Sequence, residues 1–440
     1  MARRAFLVCG LLLVAGPVVA QSPEHLHGAT ARRYDGPALT LDAAIGEALQ
    51  RNPELIVLRQ QFEGAQNRPA QERFLMPPSF EAQIWQWPLT TANPLNTNMY
   101  MFTVQQELPG RGKRELRAAV AEKDVQLALA EIAVRARDVI KEVQRAYVDL
   151  SVARTAIDIH LDSVVLLRQS ADASTVKYAA GRSSQQDVLK AVVELSRLHE
   201  DLVMHEESAA LAAARLNTLL DRDPQTPVGQ IDPLREHVTL PSSETLQRLA
   251  LEKHPELQAA QLDIDRARAA RAVVEREYKP DFFVGGGYML MPRSAGAWTA
   301  SAGMTWPSAP WSRGRLDAQK AEATANVNAA AARMRMVERQ IRLAVHDAYI
   351  RTEAAGQRSA LLRTTVVPQS QQAMAVSRVA YQGDRGDFLS VVDNQRALLD
   401  AQLSYFRALG DREVALSDLS RAVATGIPGT IPSLAGEVTK

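Results

Sequence analysis

The sequence predicts a mainly helical protein with a small β part, in which one plan of short helices, a strand pair and a very long helical hairpin is written twice. Three observations predict it. Apolar residues make up 46% of the chain but aromatics only 5%, and alanine-rich composition of this kind suits long helices meeting along thin seams better than one thick core. The sequence also matches itself: Asn52-Pro53-Glu54-Leu55 recurs as His254-Pro255-Glu256-Leu257, Pro78-Ser79-Phe80 as Pro280-Asp281-Phe282, and Ala146-Tyr147 as Ala348-Tyr349, a shift of 202 each time. Finally, no proline interrupts Gly110 to Asp223, and after Gly112 the only glycine there is Gly181.

Residues 1–20 read as an export signal. Arg3 and Arg4 precede an apolar run from Ala5 to Ala15, and Val18-Val19-Ala20 supplies the small residues of a cleavage site before Gln21. That run is too short to span a bilayer, and no later stretch approaches ~20 unbroken apolar residues. Cys9, the only cysteine, falls inside the signal. Cleavage would leave no thiol, which excludes disulfides and thiolate metal sites. Lys plus Arg number 51 against 50 Asp plus Glu, so no net field points to nucleic acid.

The first repeat is expected over 39–220. A short helix from Leu41 to Arg51 ends at an x-Pro step, because the residue before proline avoids the helical region while proline itself suits the first helical position. A second helix should run to about Leu75. Two alternating segments, 80–88 and 98–107, follow as strands, with Met99, Met101 and Thr103 on one face and Tyr100, Phe102 and Val104 on the other. The hairpin then occupies 112–220 and turns near Gly181. Its outgoing arm carries an unbroken 3-4 apolar alternation through Leu129, Ile132, Ala136, Val139, Val143, Ala146, Leu150, Ala153, Ile157, His160, Val164 and Leu167, the seam of a coiled coil. His160 reads as a seam residue, since no second metal ligand sits one turn away.

A linker over 221–242 carries four prolines. The second repeat, 243–425, restates the plan: a helix from Ser243 to Lys253, a second to about Tyr278, strands at 281–291 and 297–306, and a hairpin over 313–425 turning through Gly383-Asp384-Arg385-Gly386. Pro368 should kink its outgoing arm. Residues 426–440 form a tail.

The strand segments have the ~9–11 residues that a tilted bilayer-spanning strand needs, with Trp or Tyr near their ends. Ordinary hairpins on a soluble domain would read the same way. If they do cross a bilayer, four strands cannot close a barrel, and an open edge is untenable in lipid. Three chains pooling twelve strands would solve both problems.

The duplicated order of these segments resembles the TolC-type outer-membrane efflux proteins. The resemblance covers roughly residues 39–425. It rests on Pro53-Glu54-Leu55, on Gln106 to Arg114 with its Pro-Gly-x-Gly-Lys-Arg core, on Trp306-Pro307 to Gly314-Arg315, and on Val366-Val367-Pro368 leading to Tyr381-Gln382-Gly383. The Pro-Gly-x-Gly-Lys-Arg segment is most similar to the heavy-metal branch that serves resistance-nodulation-division pumps. The resemblance implies a homotrimer with a 12-stranded outer-membrane barrel on a helical periplasmic tunnel, working with an inner-membrane pump and a periplasmic adaptor. It implies no cofactor and no catalysis, and no catalytic motif is present in the sequence.

In that family carboxylates near the hairpin tips line the constriction. Asp393 matches one such position, Asp187 stands on the first tip, and Asp384 and Asp387 lie in the second turn, where plain turn and surface roles are the alternative. Met99, Met101, Met289 and Met291 cluster in the strand segments, and thioether sulfur suits soft monovalent metal ions. Apolar lumen filling is the plainer reading. A soluble periplasmic scaffold or adaptor is the competing class of function. Within the duct reading, metal, drug and protein export share one scaffold.

Overall fold

The computed structural model describes residues 34–424 apart from 87–89, 91–92, 94–96, 235–239 and 293. The expected export signal and C-terminal tail lie outside the described residues. Helix α1 (Leu41–Arg51) is capped by the Thr40 hydroxyl, and α2 (Pro53–Gln66) by Asn52, whose side-chain oxygen accepts the Glu54 N–H at 3.1 Å while its amide donates to the Leu219 carbonyl at 3.1 Å. Asn52 can cap because the following proline holds it at ψ 124°, outside the helical region. The helix expected to reach Leu75 is instead broken at Asn67, where α3 (Arg68–Arg73) begins with Pro69 in its first turn. Proline has no N–H to continue the preceding helix.

Strands β1 (Ser79–Trp85) and β2 (Met99–Leu108) lead into α4 (Lys113–Ala179) and α5 (Gln185–Leu219). At 67 residues, α4 is about 100 Å long. The second set comprises α6 (Ser243–Lys253), α7 (Pro255–Arg276), β3 (Phe282–Leu290), β4 (Ala297–Met304), α8 (Arg313–Leu361), α9 (Val367–Gln382) and α10 (Phe388–Val423). Pro368 does not end the outgoing arm. A π-helical turn, Leu362–Val366, sits immediately before it and joins α8 to α9, widening the helix where proline would otherwise collide with the preceding turn.

The duplicated sequence builds a duplicated core. Ala48, Val139, Val143, Ala146 and Leu216 pack together in one cluster, and Ala250, Ile341, Val345, Ala348 and Leu419, their counterparts, in another. The seam residues Val139, Val143, Leu150, Ile157 and Leu167 are buried. Leu129, the first of the predicted series, is 53% exposed. Toward the tips the helices lie side by side in the order α5, α4, α10, α8/α9.

The four strands form one antiparallel sheet in the order β1-β2-β3-β4. Register puts Phe80 opposite Val104, Phe102 opposite Tyr288, Val284 opposite Ala302 and Tyr288 opposite Trp298, so one continuous face is apolar apart from Gln106, opposite Val284. Its large side chains are solvent-exposed: Phe80, Ile84, Phe102, Val104, Phe282, Val284, Leu290, Trp298 and Met304. The other face carries Glu81, Gln83, Thr103, Gln105, Glu107, Thr299 and Ser301. This is the inverse of a soluble sheet, whose exposed face is the polar one, and it is the pattern of a barrel wall with lipid outside and water within. Among the described residues no helix is long and apolar enough to cross a membrane.

Candidate gate at the hairpin tips

Two constructions position the tips, and the first is at the far end of the molecule. Where β2 gives way to α4, Gly110 lets the backbone pass so close to Pro280 that a Cβ there would stand 2.4 Å from its carbonyl oxygen. The Gly110 N–H donates to the Asp281 carboxylate at 2.7 Å. Lys113, fully buried, reaches Glu277 and Asp281 at 2.9 Å each, and Arg117 shares Glu277 at 2.9 Å. Burial alone would raise the Glu277 carboxyl, but hydrogen bonds from Lys113 and Arg117 outweigh it and hold the group below its ordinary value. The Pro-Gly-x-Gly-Lys-Arg segment is thus a clip joining the two repeats at the base of the sheet.

The second is the seam. His160 is buried within it, its Nδ1 3.0 Å from the Ala156 carbonyl. The His205 ring of α5 lies 4.6 Å away, centre to centre, and burial pushes the His205 imidazole down. The second imidazole comes from the returning arm, not from one turn along α4. Among the described residues no group of three or more His, Cys, Asp and Glu is arranged to hold a metal ion.

Both tips close in the same way. At the end of α4, Arg182 N–H bonds to the Lys177 carbonyl at 2.8 Å, with Gly181 between them at φ +74°. At the end of α9, Arg385 N–H bonds to the Ala380 carbonyl at 2.9 Å, and Asp384 takes the left-handed position at φ +57°. Glycine tolerates that conformation freely. Among other residues Asp and Asn do so best.

Asp384 is more than a turn residue. The Lys177 ammonium of the first tip donates to its carboxylate at 2.5 Å and also to the Tyr381 carbonyl, and stands 4.4 Å from the Tyr381 ring centre. Arg182 approaches the other Asp384 oxygen at 3.8 Å. The hydrogen bond from Lys177 holds the Asp384 carboxyl below the usual range. Tyr381 is buried against Phe388, ring centres 5.5 Å apart, in a cluster with Met374, Val391, Val392 and Ala191 of the first hairpin. Burial pushes its hydroxyl up, and the nearby Asp187 charge adds to the effect.

The other carboxylates do not gather. Asp387 caps α10, accepting the Ser390 N–H at 3.3 Å and the Ser390 hydroxyl, and this hydroxyl bond lowers its carboxyl. Asp187 stands in the first turn of α5, its N–H on the Ser184 hydroxyl at 3.3 Å. Asp393 is exposed on α10, one turn before Arg396. Arg396 forms two hydrogen bonds to the buried Glu194 of α5, one of them at 2.6 Å. The sequence reading named neither Lys177 nor the Glu194 and Arg396 pair, because their partners lie about 200 residues away along the chain.

A sheet that is apolar outside and polar within, continuous with helices of about 100 Å, defines a protein that lines a passage from a membrane into the compartment below. The chain belongs to the outer membrane efflux protein family: the family model described as "Outer membrane efflux protein" matches residues 44–222 and 246–425. It is therefore an outer-membrane efflux duct, and the scaffold or adaptor alternative falls away. The chain is 27% identical over 436 residues to the cobalt-zinc-cadmium resistance protein CzcC of Cupriavidus metallidurans, covering 95% of this chain and 99% of that one. Its fold is similar to that of CusC, with a TM-score of 0.73 at 15% identity over 87% of this chain and 91% of that one. It is also similar to the outer membrane protein VceC of Vibrio cholerae, with a TM-score of 0.71 at 18% identity over 88% and 96%.

Proposed function

We propose that three copies of this chain close into one duct that carries heavy-metal cations out of the cell, receiving them from an inner-membrane resistance-nodulation-division pump through a periplasmic adaptor. The observation that carries the assembly is that sheet and helices run out of partners on the same two sides. β1 and β4 are open edges. The outermost helices, α5 and α8/α9, expose Val192, Val203, Met204 and Leu211 on one side and Leu343, Ile350, Val376 and Val379 on the other. One head-to-tail contact, repeated around a threefold axis, would pair β4 with the next β1 and α8/α9 with the next α5. Twelve strands then close with no edge left in lipid.

On this reading the hairpin tips form the periplasmic mouth. Lys177, Arg182 and Asp384 hold the two hairpins of each chain together at rest, and Asp393, exposed on the inner arm of the second hairpin, supplies three carboxylates around the axis. Asp187 lies deeper, beside Tyr381, and Asp387 serves α10 as its cap. Mass measurement in detergent, with the micelle subtracted, is expected to give a trimer. A stable monomer would refute the assembly. The cargo reading rests on the likeness to CzcC. Cells lacking the duct should retain more periplasmic zinc and cadmium, and equal retention with and without it would assign the duct another cargo.

A further inference from the structure

Three methionines stand on the wrong face of the sheet for a lipid contact. Met101 of β2 and Met289 of β3 are direct partners in the register, and Met99 lies on the same face of β2, opposite Trp85. All three are half-buried, whereas the residues that alternate with them on β2 and β3, such as Phe102 and Leu290, are exposed. By alternation their face is the polar one that carries Glu81, Gln83 and Thr103, the face that a water-filled lumen would meet. Directly opposed residues bring their Cβ atoms within about 4.5–5.5 Å, and the flexible thioether stems easily span that gap. Met291 lies past the end of β3 and takes no part.

We propose that Met101 and Met289, with Met99 one pleat away, form a contact site for soft monovalent cations, silver or copper(I), on the luminal wall of the barrel. Thioether sulfur binds such ions through polarisable lone pairs that carry no charge and no proton. The site therefore keeps its donor capacity at any pH and discriminates against zinc, which prefers imidazole, thiolate and carboxylate. Two or three neutral donors hold an ion weakly, as suits a passage that must release what it binds. The inference rests on the duct reading and extends its cargo from divalent to soft monovalent ions.

The full chain in detergent, titrated with silver nitrate in chloride-free buffer, tests it. The Met101→Leu/Met289→Leu double variant keeps volume and apolar character, so a methionine pair that merely fills space loses nothing. Wild type is expected to show a silver site per chain that the double variant lacks or binds at least tenfold more weakly, with zinc binding unchanged between the two. In planar bilayers micromolar silver should reduce wild-type conductance more than that of the double variant. Equal silver affinity in the two proteins would overturn the proposal. A wild-type protein that opens no channel would refute the duct reading instead, while the silver titration would still decide the methionine site.

Discussion

Lys113 is the side chain whose loss should be felt most at the junction of sheet and helices. It is only 1% exposed and lies 2.9 Å from both Glu277 and Asp281, whose side chains are 29% and 36% exposed. Lys113→Met keeps the apolar stem and removes the charge, leaving two carboxylates with Arg117 as the nearest cation. Removing one partner from a buried pair costs about 3–5 kcal/mol. Because both carboxylates reach solvent and Arg117 remains, the lower end applies, about 3 kcal/mol. Differential scanning fluorimetry in detergent should therefore show a fall of several degrees in Tm at pH 7.5.

The pH dependence gives a second, independent readout of the same clip. The Glu277 carboxyl is held below its ordinary value of 4.5 in the folded chain. Its contribution is thus fully present above the unfolded value and is lost as pH falls through the folded one. Wild type should lose stability from about pH 5 downward, and Lys113→Met should start lower and lose less over that range. An unchanged Tm at neutral pH, or an acid limb parallel to wild type, would refute the clip.

Three other outcomes follow from the same contacts. Asp384→Asn weakens the hold on Lys177 and should raise resting conductance in planar bilayers severalfold, as should Lys177→Met; unchanged conductance in both would leave the contact without a role in closure. Asp393→Asn removes one negative charge per chain with almost no change in volume and should weaken cation selectivity and multivalent block from the periplasmic side; an unchanged reversal potential would make Asp393 a surface residue. Val143→Asp puts an unpaired charge at a fully buried seam position and should cost several kcal/mol; normal trimer yield and Tm would contradict the seam.

The parts of this fold that depend on local pattern were legible in advance. The x-Pro steps at Asn52 and His254 mark helix starts, the 3-4 stripe marks the seam, and period-two alternation marks the strands, because each is set by residues a few positions apart. Alternation also separates Met101 from Phe102, but not which face meets lipid. That emerges only when β2 lies between β1 and β3 and one face proves apolar across all four strands. The candidate gate was the least legible. Asp384 could be read as a turn residue and Asp387 is a recognisable cap, yet Lys177 becomes relevant only once the two tips meet. The same holds for the π-helical turn Leu362–Val366 just before Pro368, which no local propensity announces, and for His160, whose neighbour His205 sits on the opposite arm.

One of these long-range pairs, of opposite charge, ties the two hairpins to each other. Here the two repeats match at a shift of 203, with Ser184 capping α5 where Asp387 caps α10, so the counterpart of Glu194 is Ala397, and the bond from Arg396 to Glu194 joins positions that are not equivalent in the two copies. A like charge at either position would set two equal charges together at a largely buried site, at a cost comparable to the loss of a buried pair. The pair should therefore tolerate exchange better than interruption. Arg396→Glu sets two carboxylates together, and Glu194→Arg two guanidinium groups, so each is expected to lower Tm by several degrees and to raise resting conductance. The double exchange, Glu194→Arg with Arg396→Glu, restores opposite charges across the same gap and should recover most of both losses, the signature of direct coupling in a double-mutant cycle. Arg396 is 44% exposed and Glu194 only 9%, so the exchange buries a guanidinium in place of a carboxylate and recovery should be incomplete. A double variant as impaired as the sum of the two single ones would show that the residues act separately and that the bond between the hairpins has no bearing on closure.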